Sequence, residues 1–296
     1  MAGISHKIKR RTYLCLVVVM TATLVLSSPV RAADLNIAVA SNFAAPLKEI
    51  AARFEDETSQ KIRISSASTG KLAIQIMQGA PFDIFLAADM AHPARLVRDG
   101  LAVAGSRMTY AQGRLVLYQS RQDANDPLAT LKKGDFQTLA IASPDLAPYG
   151  AAAIEVLKNL GLLEKNRAKL VYGQNITQTY SFVDSRAAEL GFIAAAQIQS
   201  ARDKARGRSQ EGAWWVVPQN LYSPLNQDAV ILSKGTKNRT ADEKTEPNND
   251  DVRAAQAFMM FLKGPHGRAV IKSYGYHLPP RAARMTGDDK TGNRDK

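Results

Sequence analysis

Short apolar runs alternate with amphipathic stretches along most of the chain. The first run covers 35–40, and the stretch after it places Leu47, Ile50, Ala51 and Phe54 at the spacing of one helical face. Further apolar runs, each predicted as a strand, lie at 62–64, 84–87, 114–118, 139–142, 170–172, 190–193, 214–217 and 226–232. Helices are predicted between them, among others over 72–78, from about 150 to 160, from about 177, and over 252–263. This alternation predicts an α/β fold with parallel-rich sheets.

The first 33 residues have a different pattern. Basic residues at 7–11 precede an apolar run over 13–26, and the segment ends on small residues. This order predicts a secretory signal peptide over 1–33, cleaved before Ala33 or Asp34, and therefore an exported protein. The apolar run has roughly 14 residues, fewer than the about 20 that a membrane-spanning helix needs.

Charge and cysteine content narrow the range of functions. The full chain carries a formal charge of +12, and the signal peptide holds five basic residues and no acidic one, so the mature charge is +7. The remaining basic clusters, 202–208 and 234–244, are not interleaved with aromatic residues, and we expect no nucleic-acid partner. Cys15 is the single cysteine and lies in the signal peptide. The mature protein therefore has no disulfide, thiolate ligand or cysteine nucleophile.

No arrangement of residues in the sequence predicts catalysis or a cation site. His92, His266 and His277 are far apart and lack the short spacing of a metal-binding helix. Asp83 and Asp89 flank a predicted strand, and we interpret them as turn caps rather than as a catalytic pair. A Gly-x-Ser-x-Gly nucleophile motif is also absent. We expect no catalytic residues, no enzyme activity, no cofactor and no direct metal-cation ligands.

Four junctions between a predicted strand and the following helix carry small polar or capping residues. They are Ser41-Asn42, Ser68-Thr69-Gly70, Pro148-Tyr149-Gly150 and Asn175-Ile176-Thr177. In an open α/β sheet, such junctions lie at the edge where ligands bind. A helix start offers unpaired backbone N–H groups and the positive end of the helix dipole. Four such junctions together predict a small-anion site that needs no lysine or arginine.

Several motifs, in their order and spacing, resemble one family. The motifs lie at 38–43, 65–75, 78–85, 147–150, 189–192, 261–265 and 274–276. From about Leu35 to Pro279 the chain resembles the periplasmic molybdate-binding proteins of ABC transporters. The resemblance implies a class II periplasmic-binding-protein-like fold of two lobes, each a parallel-rich sheet flanked by helices, with a ligand cleft between them. It implies these segments: lobe 1 from 34–113 plus 226–285, and lobe 2 from 114–225. The polar sequence of the last residues separately predicts a disordered tail over 286–296.

The resemblance also implies which residues hold the anion. The positions that match the family's oxyanion site are Ser41, Asn42, Thr69, Tyr149 and Ile176. Ser41 and Thr69 are expected to donate hydroxyl groups and to cap their helices, and the other three to donate backbone N–H groups. Further candidates beside them are Ser68, Gly70 and Asn175. Some members of the family use a tyrosine at the position of Ala194, and no such donor is expected here.

The function implied by the resemblance is transport rather than catalysis. The protein is expected to be a monomeric periplasmic binding protein that binds molybdate or tungstate. Its partners would be the membrane permease and the ATPase of an ABC importer. The alternatives are a binding protein for another oxyanion such as sulfate or thiosulfate, or for a ferric complex. A more distant alternative is an exported hydrolase.

Overall fold

The computed structural model describes residues 34–120, 125–205, 212–233 and 249–279. The predicted signal peptide 1–33, the basic cluster 234–244 and the predicted tail 286–296 lie outside these ranges, and the cluster 202–208 lies partly outside them. Among the described helices, none is both long and apolar enough to cross a membrane.

Strands and helices alternate within these ranges. The described strands are β1 (Leu35–Ala40), β2 (Ile62–Ala67), β3 (Ile84–Leu86), β4 (Met108–Gly113), β5 (Leu115–Gln119), β6 (Leu139–Ala142), β7 (Leu170–Gly173), β8 (Leu190–Ala194), β9 (Ala213–Val216) and β10 (Leu225–Ile231). The described helices are α1 (Ala44–Thr58), α2 (Thr69–Met77), α3 (Ala91–Arg98), α4 (Pro127–Lys133), α5 (Pro148–Asn159), α6 (Leu163–Asn166), α7 (Ile176–Asp184), α8 (Ala195–Ala205), α9 (Asn249–Lys263) and α10 (Pro265–Ser273). Short 3-10 turns lie at Ser41–Phe43, Arg167–Lys169 and Gln219–Leu221.

The strands form two five-stranded sheets, each the centre of one domain. The first sheet has the order β2-β1-β3-β10-β4, and the second has the order β7-β6-β8-β5-β9. In each sheet three neighbouring strands are parallel, and the remaining pairings are antiparallel. The predicted fold class, two α/β domains flanked by helices, is therefore confirmed, although both sheets are mixed. The strand that enters each sheet from the other domain, β10 or β5, is the one that runs antiparallel.

The packing of α1 explains why the sequence pattern predicts this helix. Leu47, Ile50 and Phe54 are at most 2% exposed, and they pack with Ile37 and Val39 of β1 in the core of the first domain. Burying an aliphatic or aromatic side chain of this size contributes about 1.5–3 kcal/mol. The helix lies over the sheet and fixes the turn at the carboxyl end of β1.

The chain crosses between the domains twice. The first crossing lies between Gly113, the last residue of β4, and Leu115, the first residue of β5. The second lies between Val216, the last residue of β9, and Leu225, the first residue of β10. Two connecting segments of this kind are typical of domains that close on a ligand by a hinge motion. The lobe boundaries given by the sequence stay a prediction.

Candidate functional site

The four predicted junctions come from both sheets, and contacts between the domains join them. Two follow β1 and β2 of the first sheet, and two follow β6 and β7 of the second. The backbone N–H of Gly70 donates to the carbonyl of Leu146 at 2.9 Å. The hydroxyl of Thr177 donates to the carbonyl of Ser41 at 3.3 Å. The turns from the two domains therefore touch each other.

The first junction is a 3-10 turn that leads into α1. Ser41 is 9% exposed, and its hydroxyl has no hydrogen-bond partner among the described residues. The side chain of Asn42 points into the protein, where Nδ2 donates to Gln227 Oε1 at 2.9 Å and to Tyr276 Oη at 3.1 Å. The side-chain amide of Asn42 is therefore used in hydrogen bonds within the protein. Its backbone N–H, at the start of a helical turn, has no carbonyl within that turn to bind.

The second junction contains a buried hydroxyl without a partner. Ser68 precedes α2 in the N-cap position, yet its Oγ makes no capping bond and no other hydrogen bond to the described residues. Thr69, which is 1% exposed, accepts a hydrogen bond from the N–H of Ala88 at 3.0 Å, and its own proton remains available. The N–H of Gly70 is already bound to a carbonyl of the other domain. The expectation that Ser41 and Thr69 cap their helices is wrong, because neither occupies a capping position with a side-chain bond.

The third junction begins α5 with Pro148, whose missing N–H costs nothing at a helix start. The N–H of Tyr149 follows in the first turn and has no carbonyl within the helix to bind. A side chain at Gly150 would overlap the carbonyl of Ala142 at the end of β6, so glycine alone allows this close approach. The ring of Tyr149 is 2% exposed, and burial raises the pKa of its hydroxyl well above the usual value. That hydroxyl stays protonated.

The fourth junction is the best capped of the four. Asn175 Oδ1 accepts the N–H groups of residues 177 and 178 at 3.0 Å each, as an N-cap side chain does. Ile176 is 2% exposed, and its carbonyl accepts a hydrogen bond from Gln197 Nε2 at 3.0 Å. Gln197 Oε1 in turn accepts the N–H of Ala194 at 2.9 Å. Gln197 therefore ties the end of β8 to the first residue of α7.

Sequence reasoning missed the residues that support these turns. They are Tyr110, Leu146, Gln197, Gln227 and Tyr276. The hydrogen bonds of Asn42 to Gln227 and Tyr276 span 185 and 234 residues of sequence. A pattern in a single sequence carries no signal over such separations.

The carboxylates that could suggest catalysis have structural partners instead. Asp89 accepts the N–H of His92 at 3.0 Å in the turn that leads into α3, although the N-cap residue of that helix is Met90. Asp83 instead accepts the N–H of Asn36 at 2.7 Å, a bond that fastens the start of β3 to β1 rather than one within a turn. In the described part of the chain, no cluster of three or more His, Cys, Asp and Glu residues could hold a metal ion.

Comparison with known proteins identifies the family of this chain. Residues 35–277 match the family model of bacterial extracellular solute-binding proteins. The chain is 46% identical over 264 residues to the molybdate-binding protein ModA of Azotobacter vinelandii, a match that covers 89% of this chain and 97% of the relative. It is 39% identical over 251 residues to ModA of Rhodobacter capsulatus, covering 85% and 91% of the two chains. A solved structure, the periplasmic molybdate-binding protein of Azotobacter vinelandii, matches with a TM-score of 0.73 at 36% identity, over 83% of this chain and 100% of that one. The chain belongs to the family of bacterial extracellular solute-binding proteins.

Proposed function

We propose that this protein is the periplasmic substrate-binding component of an ABC importer and that it binds molybdate and tungstate. The observation that carries the proposal is its 46% identity to a molybdate-binding relative over 89% of the chain. In this proposal the protein is exported with a cleaved signal peptide and acts as a monomer. It is not an enzyme and needs no cofactor. It delivers the anion to a membrane permease that an ATPase drives.

The anion is held at the four junctions by hydrogen-bond donors alone. Oxygens of a tetrahedral dianion only accept hydrogen bonds, so every group that lines its site should donate. The proposed donors are the hydroxyls of Ser41, Ser68 and Thr69 and the backbone N–H groups of Asn42, Tyr149 and Ile176. The N-termini of α2, α5 and α7 add positive potential, which compensates the negative charge without a lysine or arginine.

Within the second junction, Ser68 is the stronger hydroxyl donor. A buried hydroxyl without a partner costs about 1–3 kcal/mol, so the fold gains nothing from this group as it stands. A dianion that accepts its proton would remove that cost. Thr69 differs, because its Oγ1 already fixes the loop after β3 through the N–H of Ala88. Its remaining proton adds a second donor at the same turn.

Selectivity follows from the size and the protonation state of the anion. Molybdate and tungstate have nearly equal dimensions and fit the same set of donors. Sulfate is smaller, so donors placed for molybdate lie too far from its oxygens. Phosphate near neutral pH keeps a proton, and that proton needs an acceptor which a site made of N–H and O–H donors lacks.

A ligand panel tests the proposal. Thermal unfolding is measured with molybdate, tungstate, sulfate, thiosulfate, phosphate and ferric citrate at one concentration, and calorimetry then gives Kd for each anion that stabilises the protein. A ligand at 100 times its Kd stabilises the folded state by about 2.7 kcal/mol, which a thermal shift detects readily. Molybdate and tungstate should raise Tm by similar amounts, and sulfate should raise it far less.

Two outcomes would contradict the proposal. Equal stabilisation by sulfate or thiosulfate would mean that the site does not select by size, and stabilisation by ferric citrate alone would assign a different ligand class. Esterase, phosphatase and peptidase activities should stay at background. Turnover that survives repurification and is lost when a junction residue is changed would make the protein a hydrolase.

A further inference from the structure

A buried network of hydrogen bonds lies directly behind two of the proposed anion donors. Gln227 Nε2 donates to Tyr149 Oη at 3.2 Å, and Asn42 Nδ2 donates to Gln227 Oε1 at 2.9 Å. Tyr276 extends the network, since its hydroxyl donates to the carbonyl of Asn42 at 2.7 Å. The four residues are at most 5% exposed. Each polar group in this network depends on the others because the four side chains are buried.

The network crosses from one domain to the other. Tyr149 lies in the first turn of α5 of the second domain, whereas Asn42, Gln227 and Tyr276 pack in or beside the first sheet. The side chain of Tyr149 reaches the first domain at Gly113, the last residue of β4. A Cβ at Gly113 would collide with the hydroxyl of Tyr149 and lie 2.7 Å from Gln227 Nε2. Glycine at this position therefore makes room for the tyrosine at the point where the chain leaves the first sheet.

We propose that Tyr149 is a positioning residue whose hydroxyl, through Gln227 and Asn42, aligns the anion donors of the two domains and prolongs the closed, anion-bound arrangement. The inference rests on the proposed function, because the backbone N–H groups of Asn42 and Tyr149 are two of its donors. The family resemblance implies only that N–H as the contribution of Tyr149. The network gives the side chain of Tyr149 a separate role, since its hydroxyl holds the start of α5 in a fixed place relative to the turn after β1.

The polar groups of the network are buried when the two domains are closed on the anion and reach water when the domains are open. When the domains are joined, loss of the tyrosine hydroxyl leaves Gln227 Nε2 buried without an acceptor, which is costly. When the domains separate, water can reach the same groups and satisfy them. Removing the hydroxyl therefore weakens the joined arrangement more than the separated one. Because the effect acts after the anion is enclosed, it should appear in the dissociation rate rather than in the association rate.

The test compares two tyrosine-to-phenylalanine variants. Tyr149→Phe keeps the ring volume and the backbone N–H but removes the hydroxyl that links the domains. Tyr222→Phe is the matched control, because the Tyr222 hydroxyl accepts the N–H of Leu115 at 3.1 Å and both residues pack in the core of the second domain. Stopped-flow and calorimetry should show molybdate leaving Tyr149→Phe about tenfold faster than wild type, with a nearly unchanged association rate. Tyr222→Phe should dissociate at the wild-type rate even if its Tm falls.

A distance measurement tests the positioning role without any anion. Because the mature protein lacks cysteine, Lys48→Cys and Lys158→Cys place one spin label on an exposed site of each domain. Pulsed electron paramagnetic resonance should give a longer or broader distance distribution for Tyr149→Phe than for wild type, and an unchanged one for Tyr222→Phe. Gly113→Ala, which pushes the tyrosine ring away, should change the distribution in the same direction as Tyr149→Phe.

The outcomes separate this inference from the proposed function. If wild type fails to bind molybdate, the proposed function is wrong, and the anion-free distances still test the role of Tyr149. Identical distance distributions for Tyr149→Phe and Tyr222→Phe would overturn the inference whatever the ligand. Equal dissociation rates for the two variants, in a wild type that does bind molybdate, would overturn it as well. If Gly113→Ala fails to fold, the comparison of Tyr149→Phe with Tyr222→Phe still tests the inference.

Discussion

The hydroxyl of Thr177, in the first turn of α7, donates to the backbone carbonyl of Ser41 at 3.3 Å, across 136 residues of sequence. Thr177 belongs to the second domain, and Ser41 follows β1 of the first, so the bond joins two of the proposed donor turns. It engages the carbonyl of Ser41 and leaves the hydroxyl without a partner among the described residues. The side chain of Ser41 is therefore available to a ligand and is not required by the fold.

Ser41→Ala should weaken molybdate binding and leave the empty protein as stable as before. A hydrogen bond to a charged partner contributes about 1.5–3 kcal/mol, so Kd should rise roughly 10- to 100-fold. The free energy of unfolding without anion should change by less than about 0.5 kcal/mol, because the hydroxyl makes no capping bond. Calorimetry gives the first quantity and urea unfolding the second. A loss of about 1 kcal/mol in stability with an unchanged Kd would mean that Ser41 is only a helix cap.

Asn175→Ala should lower both stability and affinity. The asparagine caps α7 through two hydrogen bonds, and losing such a cap costs about 1 kcal/mol. The same cap fixes the first turn of α7, where the proposed donor N–H of Ile176 lies, so fraying of this turn should also raise Kd for molybdate. Asp126→Ala is the matched control, since Asp126 caps α4 through the N–H of Ala129 at 3.0 Å and α4 carries no proposed donor. An affinity loss of the same size in both variants would show that capping acts only through general stability.

His92 should make the stability depend on pH near neutrality. Its Nδ1 lies 2.8 Å from Asp89 Oδ2, and this hydrogen bond raises the pKa of His92, while partial burial acts against it. A raised folded-state pKa gives a stabilisation that is complete below the unfolded value of about 6.5 and is lost as pH rises through the folded value. The wild type should therefore exceed His92→Gln in unfolding free energy at acidic pH, by at most about 1 kcal/mol for a partly exposed pair, and this difference should shrink as pH rises.

The Asp89→Asn background supplies the control for that experiment. Asparagine keeps an oxygen that can accept the N–H of His92, but it lacks the charge that favours the protonated imidazole. The effect of His92→Gln should then lose its pH dependence. A difference that instead grows with rising pH would have the wrong sign and would contradict the assignment.

The architecture could be predicted from the sequence because its signals are local. The spacing of Leu47, Ile50 and Phe54 marks one face of α1, and the buried run 139–142 marks β6, without reference to distant parts of the chain. The four junctions were found in the same way, since each consists of a strand end followed by a helix start. A resemblance in motif order then indicated the class of ligand.

The chemistry inside each junction could not be predicted because it depends on distant partners. Ser68 and Thr69 both carry hydroxyls at the start of α2, and nothing in the sequence indicates which hydroxyl already has a hydrogen-bond partner within the protein. The answer lies with Ala88, whose N–H reaches Thr69 from the loop after β3. Likewise, the role of the Tyr149 side chain depends on Gln227, which is 78 residues away in sequence.

The last prediction separates the two hydroxyls of the second junction. Ser68→Ala removes a buried group that has no partner, so the anion-free protein should be at least as stable as the wild type. Thr69→Val removes the acceptor of the Ala88 N–H and should cost about 1–3 kcal/mol of unfolding free energy.

The two variants should rank in the opposite order by their effect on molybdate affinity. Ser68→Ala should raise Kd roughly 10- to 100-fold, and Thr69→Val should raise it less. Thr69→Ser keeps the hydroxyl and should have an unfolding free energy and a Kd close to those of the wild type. If Ser68→Ala binds molybdate as tightly as wild type while Thr69→Val does not, the donor at this turn is Thr69, and the unpartnered hydroxyl of Ser68 has no part in holding the anion.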